Sequence, residues 1–437
     1  VIIFSPLIMF ETEHDNLVPT PSTAPPKVVI TPVEAVVPTP VQPVVPASEK
    51  PTTPDIQHST KPPGVVKQIA HILFTPFRAL YRFAFWIFGV AVLVTALALT
   101  ASLPIVQFVT LGYLLEISRR IVEHQTIRAG FWGIQAATRA GGVILGTFLI
   151  WLPAYFMSSY YMDATIMLPG SERADQYGWQ TALLAVFTSL VTLWAWTRGG
   201  LLRHFIWPAP IQFLKEGLNR KIYVTAHNRF WEFVSQFPLR ALFVTGFQGF
   251  IGTFCWLIIP IGLCIGGMVL PRGINFVCGT IGYVALAIIF LYLPMLQTRF
   301  AVEQRFAVFR EIGVVRSMYQ RAPLALWISM VSVWLLALPV YLVKIELTPR
   351  EVVMLPAIVF IIFAWPTRIL LGWAYARAQR RETPRLRLSI WLGRLTLMPI
   401  VFAYGSIVLA SRYTSWYGEW SLLEQHALLI PIPFFSF

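Results

Sequence analysis

Apolar residues along this chain are collected into long charge-free runs, and short basic segments separate the runs. A run of about 20 residues is long enough to cross a hydrocarbon core of about 30 Å as a helix. The pattern predicts a span at residues 83–103, a shorter apolar stretch at 105–117, and seven clear spans at 141–160, 179–197, 241–269, 276–297, 324–343, 352–373 and 390–410. We therefore expect an all-α fold, a polytopic transmembrane helical bundle of about seven to nine membrane helices.

Two segments precede the first span. Residues 11–64 contain 13 prolines and no aromatic residue, which predicts a disordered or polyproline-II-like cytoplasmic tail over residues 1–64. A docking segment for a proline-binding domain is the alternative interpretation of this tail. Residues 65–82 carry apolar side chains at helical spacing with a basic polar side, which predicts a helix lying along the membrane interface. We expect residues 65–437 to form a single transmembrane domain.

Basic residues are distributed unevenly between the connections. Residues 118–140, 198–240, 298–323 and 374–388 hold 21 Lys and Arg residues, whereas the alternate connections and the chain after Ala410 hold five. The positive-inside rule places the basic set in the cytoplasm. It also predicts a cytoplasmic N-terminus and a tail at 411–437 on the outer surface.

The basic segments at 65–82 and 118–140 are separated by what looks like one full span, which conflicts with placing both in the cytoplasm. We therefore interpret residues 83–117 as a helical hairpin that turns at Pro104. The alternative is a single crossing at 83–103, with the N-terminus outside the membrane.

The net charge of +14 has two interpretations. In a soluble protein it would indicate a nucleic-acid partner, but only 12% of these residues are charged and the mean hydropathy is +0.65. Because the basic residues flank apolar spans, we predict no nucleic-acid partner and expect contacts with anionic lipid headgroups at the cytoplasmic face.

Nine basic residues are candidates for contacts with lipid headgroups or other anions. They are Arg119, Arg120, Arg198, Arg203, Lys215, Arg220, Lys221, Arg368 and Arg394. Arg368 and Arg394 lie inside apolar runs, where snorkelling to the headgroups is the favoured interpretation and a buried anion contact is the alternative. Glu116 precedes Arg119 and Arg120 by three and four residues, which predicts ion pairs on one helix face.

Small residues indicate where helices approach each other closely. Gly262, Gly266, Gly279 and Gly282 lie in two consecutive spans at spacings that allow backbones to come together. We expect the spans at 241–269 and 276–297 to pack tightly.

Residues for chemistry inside the membrane are scarce in the sequence. No Asp or Glu lies in the middle of a predicted span, which argues against an ion-driven transporter. Cys255, Cys264 and Cys278 have no partners at metal-binding spacing, and no common hydrolase, kinase or metalloprotease motif is present. The sequence therefore predicts no catalytic residue, no metal and no cofactor.

A weak internal repeat relates two parts of the chain. The series Tyr113, Arg120, Gly133, Arg139, Tyr155 parallels the series Tyr292, Arg299, Gly313, Arg321, Tyr341, with small gaps. One interpretation is a repeated unit made of an interfacial helix, an anchoring arginine and a transmembrane hairpin. The other is independent use of arginine wherever a span begins.

Four stretches carry a resemblance to a known group of proteins. They are LPIVQFVTLGYLLEISRR (103–120), TRGGLLRHFIWP (197–208), LPVYLVKIELTPRE (338–351) and YTSWYGEWSLLEQHA (413–427). Over roughly residues 69–437 the chain resembles multi-pass membrane proteins of unknown function from planctomycete-type bacteria. The LGYLLE element is also similar to a wider bacterial membrane domain of unknown function. The resemblance implies a bacterial inner membrane and transfers no activity and no site residue.

Three functional hypotheses follow from the sequence. The leading one is a non-enzymatic structural or assembly component of a membrane complex, with lipid-headgroup contacts and other membrane subunits as candidate partners. The second is a transporter or channel for a lipophilic or anionic solute, motivated by the spans that contain proline, the repeat, Arg368 and Arg394. The third is a membrane-embedded lipid-modifying enzyme.

Overall fold

The computed structural model describes residues 65–167, 169–217, 219–271, 273–346, 354–414 and 418–429. The helices within these ranges are α1 (Val65–Ser102), α2 (Gln107–His124), α3 (Ile134–Met167), α4 (Glu172–Thr197), α5 (Leu202–Ile206), α6 (Pro210–Glu216), α7 (Arg220–Ser235), α8 (Leu239–Val269), α9 (Ile274–Glu303), α10 (Ile312–Arg321), α11 (Pro323–Glu346), α12 (Met354–Gln379) and α13 (Arg387–Thr414). Short 3₁₀ helices occupy Ile127–Phe131, Phe306–Arg310 and Gly418–Leu423. The all-α prediction is confirmed, and the predicted tail at 1–64 lies outside the described residues.

Eight helical stretches of the described chain are long and apolar enough to cross a bilayer. They are Arg78–Ser102, Ile127–Met167, Glu172–Thr197, Arg220–Val269, Ile274–Glu303, Pro323–Val343, Met354–Gln379 and Arg387–Thr414. Each overlaps one of the eight long spans that the hydrophobic pattern predicts. The chain is therefore a multi-pass membrane protein.

Helix α1 differs from its prediction because it is continuous from Val65 to Ser102. The predicted boundary between an interfacial helix at 65–82 and a span from residue 83 is absent. Neither Gly nor Pro occurs between Phe77 and Phe88, so no residue there favours a helix end. The helix continues through Pro76 as well.

Helices α1 and α2 are joined by a tight turn at residues 103–106. The backbone N–H of Gln107 donates to the carbonyl of Leu103, and Ile105 has a left-handed φ of 69°. On the far side of the turn, Thr110 Oγ1 lies 2.7 Å from Thr100 Oγ1 and donates to the Leu97 carbonyl at 3.1 Å. The two helices therefore leave the turn side by side.

Helix α2 then crosses α8 at two glycines. A Cβ atom on Gly112 would lie 1.8 Å from the Leu242 carbonyl oxygen, and one on Gly246 would lie 1.8 Å from the Phe108 carbonyl oxygen. Only glycine permits this approach of two backbones. As a result α2 is largely buried within the bundle.

Helices α8 and α9 form a long antiparallel pair. Thr245 Oγ1 contacts Gln304 at one end, and Gly267 lies against Gly279 at the other. Gly282 faces the backbone of α8 as well. The prediction for Gly262 needs correction, because a Cβ there would meet no atom of the described residues within 4 Å. Among the same residues, a Cβ on Gly266 would meet only the Leu270 side chain, at 3.4 Å. The close approach uses Gly267 instead.

Helices α3 and α4 form a second antiparallel pair at the edge of the bundle. The Trp196 indole donates to Thr147 at 3.1 Å, and the Tyr161 ring lies against Gly178 near the other end. Gly141 of α3 packs on Val92 of α1. Most outward side chains of this pair are apolar and exposed, as expected for surfaces that face lipid.

The C-terminal ends of helices α2 and α9 share a local structure. Each helix is followed by a glutamine with left-handed φ, Gln125 or Gln304, whose side-chain amide donates to the carbonyl three residues earlier. A five-residue 3₁₀ helix follows in both cases, and a tryptophan indole donates 3.1 Å to the carbonyl of its fourth residue, Gly130 or Phe309. These features favour the interpretation of a repeated unit.

Part of the predicted outer-surface tail at 411–437 is described, and the side of the membrane on which it lies stays a prediction. Residues 418–429 fold back against the bundle, where Tyr341 of α11 donates to the Glu424 carbonyl at 3.1 Å. Gln297 of α9 donates to the Leu428 carbonyl at 2.8 Å. These hydrogen bonds satisfy backbone oxygens that would otherwise be buried without partners. Residues 430–437 lie outside the described residues.

Candidate functional site

One end of the bundle collects most of the basic residues, and we call it the basic end. Helices α2, α9 and α12 finish there, as the contact between Arg380 Nη2 and the Gln125 carbonyl at 2.8 Å shows for two of them. Helix α8 starts there, with Thr245 bonded to Gln304. The long connection from α4 to α8 adds the short helices α5, α6 and α7 to this end.

Helix α7 is amphipathic, and none of its residues is buried. Ile222, Ala226, Phe230 and Phe233 recur at helical spacing on one side, and Lys221 lies on the other side. Lys215 and Arg220 are exposed close by. Aromatic and basic side chains therefore lie beside each other at the surface, the composition typical of helices in the membrane interface.

Helix α5 packs closely against α3. The Phe205 ring is buried against Gly146, where a Cβ would lie 2.4 Å from the ring, and Leu202 passes Gly142 with more room. Ile206 and Trp207 on the other side are 75% and 71% exposed. Because α3 belongs to a candidate span, α5 lies beside the apolar surface of the bundle.

The junction between α4 and α5 brings together Arg198, Arg203 and His204, and we call it the α4–α5 corner. The Arg198 Nη1 donates to the Trp207 carbonyl at 3.0 Å, and the indole of Trp194 donates to the Pro208 carbonyl at 2.8 Å. These contacts fold the chain after α5 back towards α4. In the described residues, neither arginine of the corner forms an ion pair with a carboxylate.

His204 is the buried member of this corner, at 8% exposure. Its Nε2 accepts a 3.4 Å hydrogen bond from Arg203 Nε, which assigns the hydrogen of the neutral ring to Nδ1. That Nδ1 is buried and has no hydrogen-bond partner in the described residues. Burial lowers the pKa of His204 below its ordinary value, and the charges of Arg198 and Arg203 lower it further, so the neutral ring is favoured.

The sequence singled out Arg198 and Arg203 but not His204. A lone histidine beside two arginines has no spacing that indicates a ligand. Phe205, the next residue, packs on Gly146 of α3, so the position of His204 depends on a contact between residues far apart in the chain.

Arg119 and Arg120, by contrast, are already paired. Arg119 Nε and Arg120 Nε contact the two oxygens of Glu116 at 2.6 and 2.8 Å, and Arg119 also pairs with Glu123. The Arg120 guanidinium further lies 4.1 Å from the ring centroid of Trp132. The predicted ion pairs on one helix face are confirmed, and these contacts compete with any headgroup for the two arginines.

The end of α9 holds a second paired group, which we call the α9 cluster: Arg299, Glu303, Arg305 and Glu311. The Arg299 side chain is buried, and it contacts Glu303 at 2.6 Å and pairs with Glu311. Arg305 pairs with both glutamates from the exposed side. A buried guanidinium needs such partners because removing a charge from water is costly.

Arg368 does not snorkel, so the favoured sequence interpretation is wrong. It is 4% exposed, and its Nη2 donates to Gln297 Oε1 at 2.9 Å. The Gln297 amide nitrogen donates in turn to Thr253 Oγ1 at 2.6 Å and to the Leu428 carbonyl, which fixes the orientation of the amide. Arg368 Nη1 is buried and has no hydrogen-bond partner among the residues that the structure describes.

Arg394 turns towards a neighbouring helix. Its guanidinium lies 5.6 Å from the ring centroid of Tyr319 on α10. Burial raises the pKa of the Tyr319 hydroxyl to about 12, and the charge of Arg394 opposes part of that rise. The arginine therefore anchors α13 to α10 at the basic end.

The folded-back C-terminal segment places ionisable groups inside the bundle. Glu424 and His426 are 2% and 3% exposed, and the His426 ring lies 4.4 Å from that of Tyr341. His426 and Thr367 line a small cleft between α11 and α12 whose other walls are apolar. Sequence reasoning missed these groups because no predicted span contains them.

Comparison of this chain with models of protein families, with curated proteins and with solved structures finds no match. The resemblance to multi-pass proteins of planctomycete-type bacteria therefore stays a prediction.

Proposed function

We propose that this chain is a non-enzymatic structural or assembly component of a membrane complex that holds anionic lipid headgroups at its basic end. The observation that carries the proposal is the surface formed by α5, α6 and α7, where exposed aromatic residues lie beside basic residues. Aromatic rings favour the depth of the headgroups, and each basic residue near an anionic surface contributes about 1 kcal/mol.

The closed interior of the bundle supports the same proposal. The side chains of α2, α8, α9, α11 and α12 fill the space between these helices, and large side chains such as Trp334 and Phe290 are fully buried there. The cleft between α11 and α12 is small and mostly apolar. A closely packed interior favours a structural component of a complex over a channel or transporter with a wide path through the membrane.

The experiment is reconstitution of the full chain in bilayers of equal phosphatidylglycerol and phosphatidylcholine, then extraction in mild detergent and mass spectrometry of the retained lipids. Retained lipid enriched in phosphatidylglycerol is expected. Changing Lys215, Arg220 and Lys221 to Gln is expected to reduce that enrichment by at least half. Equal retention of both lipids by the unchanged chain would contradict the proposal.

The orientation is proposed together with this function. Twenty-one basic residues in four connections favour a cytoplasmic basic end, an N-terminus inside and a C-terminus outside, in a bacterial inner membrane. Reporter fusions within 198–240 and 374–388 should both report the cytoplasm, and a fusion within 161–177 should report the outside. Opposite locations for the two basic connections would overturn the topology.

Transport of an anionic or lipophilic solute is the second candidate. The specific observation in its favour is the group of Arg368, Glu424 and His426 buried among candidate spans, because ionisable residues at such depth mark many transport pathways. Flux measured in proteoliposomes that is lost in Arg368→Met would favour transport. Proteoliposomes without flux would favour the structural role.

A further inference from the structure

The α4–α5 corner combines charge with an unsatisfied buried donor. Arg198 is half-buried, Arg203 is exposed, and neither forms an ion pair within the described residues. His204 holds a buried Nδ1 hydrogen that has no acceptor in the described part of the chain. A buried donor without a partner is unfavourable, so an acceptor that reaches it gains a full hydrogen bond.

The chemistry of these three groups is suited to a phosphate. Guanidinium groups match the geometry of phosphate oxygens and bind them through charge-assisted hydrogen bonds. A neutral imidazole N–H adds one more donor without adding charge. A carboxylate from this chain would compete, but the described residues place none on either arginine.

The location of the corner favours a phosphate that carries hydrocarbon. Phe205 packs α5 against Gly146 of α3. The exposed residues Ile206 and Trp207 follow His204 by two and three positions in the chain. Cationic donors therefore lie next to an apolar surface at the border of two candidate spans. Lipid headgroups have this combination of phosphate and adjoining acyl chains.

We propose that Arg198, Arg203 and His204 form a binding site for the phosphate of an anionic lipid headgroup. The site rests on the proposed function, because it assumes that the surface of α5 faces lipid. It is narrower than that function, since it assigns one lipid to one corner instead of a diffuse layer of lipid to the whole basic end.

The test is native mass spectrometry of the full chain in mild detergent, titrated with dioleoyl phosphatidylglycerol. One lipid should bind more tightly than the others. The double variant Arg198→Gln/Arg203→Gln should weaken that first lipid by about 25-fold, about fivefold for each arginine. His204→Phe keeps a similar ring shape without the Nδ1 donor and should weaken it by about fivefold. If the double variant does not fold, His204→Phe still tests the proposal.

The matched control is Arg310→Gln/Arg316→Gln, which removes the same charge from two exposed arginines at the basic end. It should change the affinity of the first lipid by less than about twofold. Equal weakening in both double variants, with phosphatidylglycerol still preferred over phosphatidylcholine, would overturn the site and leave the proposed function standing. If the unchanged chain binds phosphatidylglycerol no more tightly than phosphatidylcholine, both the site and the proposed function are overturned.

Inorganic phosphate separates the two sources of the ligand. Added alone at constant ionic strength, it should bind at least a hundredfold more weakly than the lipid, because it lacks acyl chains to cover Ile206 and Trp207. Binding as tight as that of the lipid would identify free phosphate as the ligand and overturn the lipid assignment.

Discussion

The α9 cluster and the α4–α5 corner both place arginines at the basic end, yet the structure surrounds them differently. Arg299 is buried against two glutamates that neutralise it, whereas Arg198 donates to one backbone carbonyl and Arg203 to a buried imidazole. Their sequence contexts look alike, since each arginine follows an apolar span. The comparison teaches that the partner of an arginine, and not its position after a span, separates a structural residue from a binding residue.

The largest effect is expected at Arg368, where the partner is a neutral amide. Gln297→Leu should lower the free energy of unfolding by about 4 kcal/mol, because Arg368 loses its acceptor and the Leu428 carbonyl loses its donor. Unfolding of the detergent-solubilised chain by sodium dodecyl sulfate measures this change.

Gln107→Leu is the matched control, because Gln107 is buried without a side-chain partner in the described residues. The same replacement there should be neutral or stabilising, since it removes an unsatisfied polar group. Equal destabilisation by both replacements would show that the Arg368 contacts contribute nothing.

The second effect is expected in the α9 cluster. Glu303→Gln/Glu311→Gln should destabilise the chain by about 3 kcal/mol, because Arg299 becomes a buried charge without a counter-charge. The partial exposure of both glutamates keeps the cost below that of a fully buried pair. The same unfolding titration measures it, and a change below about 1 kcal/mol would mean that Arg299 reaches water.

The third effect concerns the contact between Phe205 of α5 and Gly146 of α3. Gly146→Ala should cost about 2 kcal/mol, because the added methyl would meet the buried Phe205 ring. It should also weaken the binding of the first lipid. Gly142→Ala, one helical turn earlier, has room for its methyl and should change stability by less than about 0.5 kcal/mol. Indistinguishable lipid affinity in the two variants would show that the packing of Phe205 on Gly146 does not affect lipid binding at the α4–α5 corner.

The smallest effect on stability is expected at the α4–α5 corner itself. Arg198→Gln/Arg203→Gln should change the free energy of unfolding by less than about 1 kcal/mol, because neither arginine forms an ion pair with a described residue and Arg203 is exposed. A loss comparable to that in the α9 cluster would indicate a structural role for these arginines and weaken the comparison.

Local patterns in the sequence predict much of the fold. Charge-free runs locate the candidate spans because a helix that crosses hydrocarbon needs them, and the pairing of Glu116 with Arg119 and Arg120 follows from spacing on one helix. These features depend on residues close together in the chain.

Features that depend on distant contacts could not be predicted in this way. Glu424 and His426 follow the last span, so nothing local shows that Tyr341 and Gln297 draw their segment into the bundle. Gly267 rather than Gly262 faces α9 because of the rotation of α8 about its axis, which the motif does not encode. His204 becomes a candidate only in the folded chain, where its ring is buried beside Arg203.

The most direct test of the central claim is the phospholipid that stays with the purified chain after exhaustive exchange into detergent. One phospholipid per chain is expected for the unchanged protein and for Arg119→Gln/Arg120→Gln, whose arginines are held by Glu116. Less than about half a phospholipid per chain is expected for Arg198→Gln/Arg203→Gln, given an affinity about 25-fold lower. Equal retention by both double variants would contradict the account.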